Sequence, residues 1–318
     1  MAIFDSLDYL DGKATHALST LLNSDWSSNE VPDMTGKVAM VTGGNSGIGL
    51  ELVRKLAENG AEVYMVSRTR EKADCAVGDI DRELGKEAAG RVHILVCDMI
   101  SLAAVDAIAH RFRKTGKQLH LLALNAGVFH PGPFDLSADG FEQTLGINYF
   151  AQVRLVTALE TVLASSTPSR VVFTASHAEG AGRMNWKNLT GSGFKDSGMI
   201  PYGCAKLYML MFARELQDRY RMQGLDIDVL ACQPGVTASP LINKVDTSYW
   251  TGALVKGLAL VMGFTPRVGA IPLIYAATAP QLTGKGFQYI GPNHFNLFLT
   301  ASRQPINPAF KRADWRRM

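Results

Sequence analysis

The stretch VTGGNSGIG, residues 41–49, decides how the rest of the chain is interpreted. It follows an apolar run, KVAMV (37–41), and leads into a segment of helical periodicity at about 48–59. Glycines between a strand and a helix allow a tight turn, close helix–strand packing and a close approach of the backbone to a phosphate. The helix N-terminus offers that phosphate free N–H groups and a positive dipole end. The stretch therefore predicts a dinucleotide-binding turn, against the alternative of a glycine-rich turn without a ligand.

Outward from this turn, short apolar runs alternate with helical segments. The predicted strands are 37–41, 62–67, 91–96, 119–125, 170–175 and 226–232, with a candidate seventh at 286–290. The predicted helices are 48–59, 71–84, 102–114, 138–164 and 202–220. This alternation predicts a single α/β domain, a doubly wound Rossmann-type fold whose mostly parallel, seven-stranded sheet carries helices on both faces. The ligand site of such a sheet lies beyond the carboxyl ends of its strands.

We expect this domain to take residues 36–295 and to carry an extension at each end. Residues 1–35 would form the N-terminal extension, and residues 296–318 a C-terminal tail. Apolar residues at steps of three and four within 2–22 predict an amphipathic helix. That helix would dock on the protein's own surface or contact a membrane or partner, and its acidic polar face weakens the membrane interpretation.

Composition argues against several classes of function. The 32 Lys and Arg against 29 Asp and Glu leave a net charge of +3, too weak a basic bias to suggest a nucleic-acid binder. The four cysteines have no CxxC spacing and no histidine cluster beside them, which disfavours a zinc site or a disulfide framework and fits a reducing compartment. The chain starts without a basic n-region, and no apolar run reaches about 18 residues. We therefore expect a cytoplasmic protein, with membrane association left open.

The tip of the second predicted strand reads Ser67-Arg68-Thr69-Arg70. An acidic residue here would bind the adenosine ribose 2′-OH of NAD, and none is present. Arg68 would instead bind a 2′-phosphate through its planar guanidinium, with Ser67 as a second donor. For Arg70 the same role and a solvated surface charge are equally supported. The tip thus predicts NADP(H) in preference to NAD(H).

Seven short motifs stand at the ends of the predicted elements in a fixed order. They are TGGNSGIG (42–49), CDM (97–99), LNAG (124–127), Asn148 in GINYF, Ser176 in FTAS, YGCAK (202–206) and QPGVT (233–237). In this order they resemble the short-chain dehydrogenase/reductase family, over about Gly36 to Pro292. The order carries the specificity, because Tyr9 and Lys13 in YLDGK have the tyrosine–lysine spacing without such neighbours.

Further features narrow the resemblance. DMTGKVAMVTG (33–43), Arg68 at the strand tip and the long stretch 176–202 are similar to the retinol dehydrogenase-like and WW-domain oxidoreductase-like branch. Ala151 stands where that branch often has glycine, which we expect to alter packing more than chemistry. His177 would line the substrate pocket or be incidental.

The resemblance implies site residues by position. The implied catalytic residues are Asn148, Ser176, Tyr202 and Lys206, and no metal is implied. The implied cofactor-binding residues are Gly43, Asn45, Ser46, Gly47, Ile48, Gly49, Ser67, Arg68, Asp98, Met99, Asn125, Ala126, Gly127, Tyr202, Lys206, Pro234, Gly235, Val236 and Thr237. Tyr202 would be the general acid/base, and Lys206 would lower its pKa from one helical turn away. Ser176 would bind the substrate oxygen, and Asn148 would hold a water in a proton relay.

The resemblance also places a variable substrate lid at about 238–266, where the sequence has the apolar stretch 248–264. This stretch would be a lid over an apolar pocket or plain core. As a lid it implies a bulky, apolar substrate such as a steroid, retinoid, polyketide or terpenoid. The predicted function is NADP(H)-dependent interconversion of a ketone or aldehyde with an alcohol on such a substrate. The alternative is an NADP-binding regulatory or scaffold protein of the same fold without turnover. A peripheral membrane contact and a homodimer stay open, and no nucleic acid partner is expected.

Overall fold

The computed structural model describes residues 26, 28–129, 134–194, 198–235, 237, 265–293 and 298–303. Its strands form one sheet in the order β3-β2-β1-β4-β5-β6-β7-β8. They are β1 (Val38–Thr42), β2 (Glu62–Ser67), β3 (Val92–Val96), β4 (Leu121–Leu124), β5 (Ser169–Thr174), β6 (Ile227–Cys232), β7 (Tyr289–Asn293) and β8 (Phe298–Arg303). The seven predicted parallel strands are confirmed, and β8 adds an antiparallel partner for β7. The order reverses direction between β1 and β4, which opens a crevice at their carboxyl ends.

Helices cover both faces of this sheet. They are α1 (Gly47–Glu58), α2 (Arg70–Leu84), α3 (Lys86–Gly90), α4 (Leu102–Arg113), α5 (Gln143–Leu145), α6 (Ala151–Ser165), α7 (Met199–Met222), α8 (Pro266–Gly269) and α9 (Ile271–Thr278). Buried side chains of α4, α6 and α7 form one core cluster, and those of α1, α2 and α9 form the other. Since both faces are covered, the central strands are buried at every position, as in β1 and β5.

The long helix that the sequence predicts over 138–164 begins later than residue 138, with α5. Residues 138–140 make a turn in which Gly140 has a φ of 80°, and Leu136 forms an isolated bridge with Glu142. The Glu142 carboxylate then accepts from the Leu145 N–H at 2.9 Å and caps the helix. A π-helical turn, Gly146–Phe150, joins α5 to α6 and carries Asn148.

Two segments outside the predicted limits of the domain contribute to its core and to its sheet. Trp26 and Val31 are buried in the core cluster of α1 and α9, and the Trp26 ring meets Tyr275 edge-on at 5.1 Å. Strand β8 lies in the stretch predicted as a tail. The core therefore includes residues before the predicted N-terminal boundary, and the sheet includes a strand beyond the C-terminal one.

The predicted N-terminal helix within 2–22 and the apolar stretch 248–264 fall outside the described residues. Within the described part of the chain, none of the helices has the length and apolar character needed to cross a bilayer.

Candidate active site

The glycine turn joins β1 to α1 at the crevice. Gly43 and Gly47 have φ values of 64° and 56°, which suit glycine. A Cβ at Gly49 would lie 2.4 Å from both the Gly43 carbonyl oxygen and the Asn125 Nδ2 atom, so only glycine fits there. Ser46, at the N-cap, makes no side-chain capping bond to α1. The turn therefore presents backbone N–H groups at the start of α1 and fits a pyrophosphate.

A buried polar network fixes the turn after β4. The Thr42 hydroxyl accepts from the N–H groups of Asn125 and Ala126, both at 2.9 Å, and donates to Gln152 Oε1 at 3.2 Å. Gln152 Nε2 in turn donates to the Ala126 carbonyl at 2.9 Å. The predicted Asn125–Ala126–Gly127 turn is thereby held against the glycine turn.

Ser176, Tyr202 and Lys206 meet where β5 ends and α7 begins. Lys206 is 3% exposed, and its Nζ donates to the Thr174 carbonyl at 2.7 Å. The same Nζ lies 5.6 Å from the centroid of the Tyr202 ring. The Ser176 hydroxyl hydrogen-bonds the Tyr202 phenol and also accepts from the Ala178 N–H at 3.2 Å.

Asn148 completes the predicted set from the π-helical turn. Its Oδ1 accepts from the Val128 N–H at 2.7 Å, and its Nδ2 donates to the Val128 carbonyl at 2.8 Å. Gly127 separates this amide from Lys206: a Cβ there would lie 3.3 Å from Asn148 Oδ1 and 3.5 Å from Lys206 Nζ. The glycine thus keeps open a space that both side chains border.

Comparisons with known proteins agree with this geometry. A family model for short chain dehydrogenases matches residues 37–250. The chain belongs to the short-chain dehydrogenase family. It is 31% identical to mouse (Mus musculus) retinol dehydrogenase 11, with 98% of this chain and 93% of that one covered. It is 33% identical to the WW domain-containing oxidoreductase of Danio rerio, with 89% of this chain and 68% of that one covered. A short chain dehydrogenase from Burkholderia cenocepacia in complex with NADP shares the fold, with a TM-score of 0.61, 22% identity and coverage of 81% of this chain and 97% of that one.

These findings confirm the predicted family and its branch. They also establish the protein as an oxidoreductase of this family. The individual roles of the site residues rest on their placement.

The electrostatics of this short-chain dehydrogenase site are governed by burial. The sequence predicts that Lys206 lowers the pKa of Tyr202, yet burial raises that pKa, and the Ser176 hydrogen bond offsets only part of the rise. Burial lowers the pKa of Lys206 to about 8, and the smaller effect of Cys232, which raises this pKa, does not cancel it. Lys206 Nζ lies 5.6 Å from the centroid of the Tyr202 ring and donates to the Thr174 carbonyl, and its effect on the pKa of Tyr202 stays a prediction.

At the tip of β2, Arg68 and Arg70 differ in their contacts. Arg68 is exposed, and with the described residues it forms no hydrogen bond or ion pair. Arg70 is engaged by Asp74 at 2.9 Å. Ser67 is buried and donates to the Thr69 carbonyl at 3.0 Å, which directs its hydroxyl away from solvent.

Other predicted cofactor positions line the same edge. Asp98 is exposed and accepts from the Ile100 N–H at 3.2 Å, while Met99 is buried. Gly235 has a φ of 72°, and Thr237 Oγ1 donates to the Pro234 carbonyl at 3.2 Å. Val236 lies outside the described residues, and within the rest no cluster of His, Cys, Asp or Glu is placed to hold a metal ion.

Three buried polar side chains of the site are absent from the predicted site residues. They are Thr42 and Gln233, each inside a quoted motif, and Gln152; all three are fully buried. Gln152 carried a usable signal, because it is a polar residue on a helix face shared with Leu155 and Leu159. A polar residue in such a stripe indicates a hydrogen-bond partner inside the fold.

Proposed function

We propose that this protein is an NADP(H)-dependent oxidoreductase that interconverts a ketone or aldehyde with an alcohol on a lipophilic substrate. The observation that carries the proposal is the grouping of four side chains: Ser176 hydrogen-bonds Tyr202, and Lys206 lies 5.6 Å from the Tyr202 ring. Lys206 and Asn148 also border the space left by Gly127. A regulatory protein that only binds the nucleotide would not need this set.

The bound nicotinamide would supply or accept the hydride at the substrate carbon. In reduction, Tyr202 donates the proton that the substrate oxygen requires, and its raised pKa keeps the phenol protonated at neutral pH. Ser176 donates a hydrogen bond to that same oxygen and stabilises the charge developing on it. Lys206 and Asn148 border the space beside Gly127 and would return a proton to Tyr202.

Several residues would hold the cofactor. The N–H groups at the start of α1 would bind the pyrophosphate, and Asp98 would contact the adenine. Arg68 would bind the 2′-phosphate, which is supported by its exposure and by the engagement of Arg70 with Asp74. A lipophilic substrate is supported by the name of the retinol dehydrogenase relative.

The catalytic role is tested by NADPH oxidation with a panel of lipophilic carbonyls. Tyr202→Phe should lower kcat by about 10²- to 10⁴-fold, the usual weight of a general acid. Tyr220→Phe, at the far end of α7, is the matched control and should retain activity. Turnover that persists in Tyr202→Phe would contradict its role as the acid. Tight NADPH binding without turnover of any carbonyl would favour the regulatory alternative.

Cofactor preference is tested by the affinities for NADPH and NADH before and after Arg68→Asp. The substitution should weaken NADPH binding about 10-fold or more and favour NADH, since it places a carboxylate against the 2′-phosphate. Arg70→Asp is the control and should change the preference less. An unchanged preference in Arg68→Asp would refute the phosphate role.

A further inference from the structure

Gln233 lies between the catalytic serine and the turn after β6. It is fully buried, and its backbone N–H donates to the Ile290 carbonyl at 2.8 Å. Its side-chain Oε1 accepts from the Gly235 N–H at 2.8 Å. Its Nε2 lies 2.9 Å from Nε2 of His177, the exposed residue next to Ser176. One amide thus connects the turn that follows β5 with the turn that follows β6.

The backbone fixes the direction of the bond to His177. An N–H group can only donate, so the atom of Gln233 that faces Gly235 is the oxygen, and the atom that faces His177 is the NH₂ group. The NH₂ group also donates, which requires His177 Nε2 to accept. His177 is therefore a neutral imidazole whose proton sits on Nδ1.

We propose that His177 and Gln233 are positioning residues that tie the serine turn to the Pro234–Gly235 turn, and that the tie holds only while His177 is neutral. The proposal rests on the proposed function, with Pro234 and Gly235 among the cofactor-binding residues that the family resemblance implies. Protonation of His177 places N–H groups of both side chains against each other and removes the bond. The Gln233 side chain then keeps only its hydrogen bond with the Gly235 N–H. The Pro234–Gly235 turn is held less firmly, and NADPH therefore binds less tightly.

Other groups near His177 also titrate and must be separated from it. The ionisable groups on its own 3-10 helix, just after it, on the first two turns of α7 and near the ends of β6 and β7 include Glu179, Arg183, Tyr202, Cys204, Lys206, Cys232 and Tyr289. Burial raises the pKa of Glu179 to about 7, and burial lowers that of Lys206 to about 8. The pKa of Cys232 is raised to about 12, and burial raises the pKa values of Tyr202 and Tyr289 above the usual 10. On the acid side of neutrality, Glu179 is therefore the group to be distinguished from His177.

The test measures the dissociation constant of NADPH between about pH 5 and 8, where histidines change charge. Wild-type affinity should fall about 3- to 10-fold on acidification, the weight of one hydrogen bond. In His177→Gln the amide oxygen reaches the position of Nε2 and accepts the same bond without titrating, so affinity should stay high and lose this pH dependence. His177→Ala should show the weaker affinity throughout, and Glu179→Gln should keep the wild-type profile. A pH-independent wild type, an acid-side fall that persists in His177→Gln, or its loss in Glu179→Gln overturns the proposal.

A second measurement does not depend on the cofactor. Long-range ¹H–¹⁵N spectra of the free protein at pH 8 should show the proton on Nδ1. The His177 signal is assigned by its loss in His177→Gln. A proton on Nε2 overturns the proposal whatever the enzyme does. If the tautomer is as expected and NADPH does not bind, the proposed function fails and the hydrogen bond stands.

Discussion

Gly49 and Gly127 are needed for the space they leave, since neither has a positive φ. A Cβ at Gly49 would lie 2.4 Å from the Gly43 carbonyl oxygen, which belongs to the backbone and cannot move away without reshaping the turn. A Cβ at Gly127 would only approach Asn148 and Lys206 at 3.3 Å and 3.5 Å, within the space proposed for the cofactor. The first glycine therefore shapes the turn, and the second keeps room for a ligand.

Gly49→Ala should weaken NADPH binding about 10-fold or more, because the displaced turn no longer fits the pyrophosphate. Isothermal titration with NADPH checks this result. The matched control is Gly78→Ala in the interior of α2, where a Cβ meets nothing within 4 Å. That control should keep the affinity and gain about 1 kcal/mol of stability, since alanine favours a helix over glycine. Unchanged NADPH affinity in Gly49→Ala would show that the turn does not bind the phosphates.

The sequence revealed the site residues to which the motifs assign a role, but not the buried side chains that support them, even though one of these, Thr42, stands inside a motif. Thr42 and Gln152 determine the position of Ala126 through hydrogen bonds that join β1, α6 and the turn after β4. A threonine at the end of a strand looks the same in a sequence whether it is exposed or buried. Its role depends on partners about 80 to 110 residues away, which only the folded chain brings together.

The short 3-10 helix His177–Ala181 packs against the start of α7 through two glycines. A Cβ at Gly203 would lie 2.7 Å from the Ala178 carbonyl oxygen, and a Cβ at Gly182 would lie 2.5 Å from the Gly203 carbonyl oxygen. Since both close contacts are with backbone atoms, the two elements cannot accommodate a side chain without separating. This contact sets how far Ser176 lies from Tyr202.

Gly203→Ala should lower kcat about 10-fold or more and change the NADPH affinity less, because it separates Ser176 from Tyr202 and leaves the glycine turn untouched. Steady-state kinetics with a carbonyl substrate and titration with NADPH give the two values. Gly180→Ala, on the same 3-10 helix with nothing within 4 Å of its Cβ, is the control and should behave as wild type. An equal effect of both substitutions on kcat would contradict the packing role of Gly203.

The sequence predicts the elements well where local pattern decides them. Every strand from β1 to β6 was found within about two residues of its predicted limits, because each is an apolar run of four to six residues flanked by polar or turn residues. The predicted start of the long helix at residue 138 was wrong. A turn with Gly140 comes first, and the Glu142 cap then begins the helix, which composition alone did not reveal. Strand β8 was missed because it exists through pairing with β7, a contact that no local pattern encodes.

At the scale of the whole molecule, Arg170 joins the sheet to the segment that follows α9. It lies on β5 and is 8% exposed, as is Asp228 on β6. Its guanidinium donates to the carbonyls of Ala276 and Ala279, both at 3.1 Å, and lies 3.6 Å from the Asp228 carboxylate. Burial lowers the pKa of Arg170, and the charge of Asp228 opposes that effect. One buried cation thus satisfies two helix-end carbonyls and one carboxylate.

Arg170→Met should lower the free energy of unfolding by about 3 to 5 kcal/mol, because it leaves the Asp228 carboxylate buried without its partner. Denaturant unfolding followed by circular dichroism measures the change. The control is Arg154→Met, which breaks the exposed pair with Asp106 and should have little effect. If the unpaired charge is the cause, adding Asp228→Asn to Arg170→Met should restore part of the loss. If the double variant is no more stable than Arg170→Met, the lost stability comes instead from the hydrogen bonds to the Ala276 and Ala279 carbonyls. The role of Arg170 would then be to cap the end of α9.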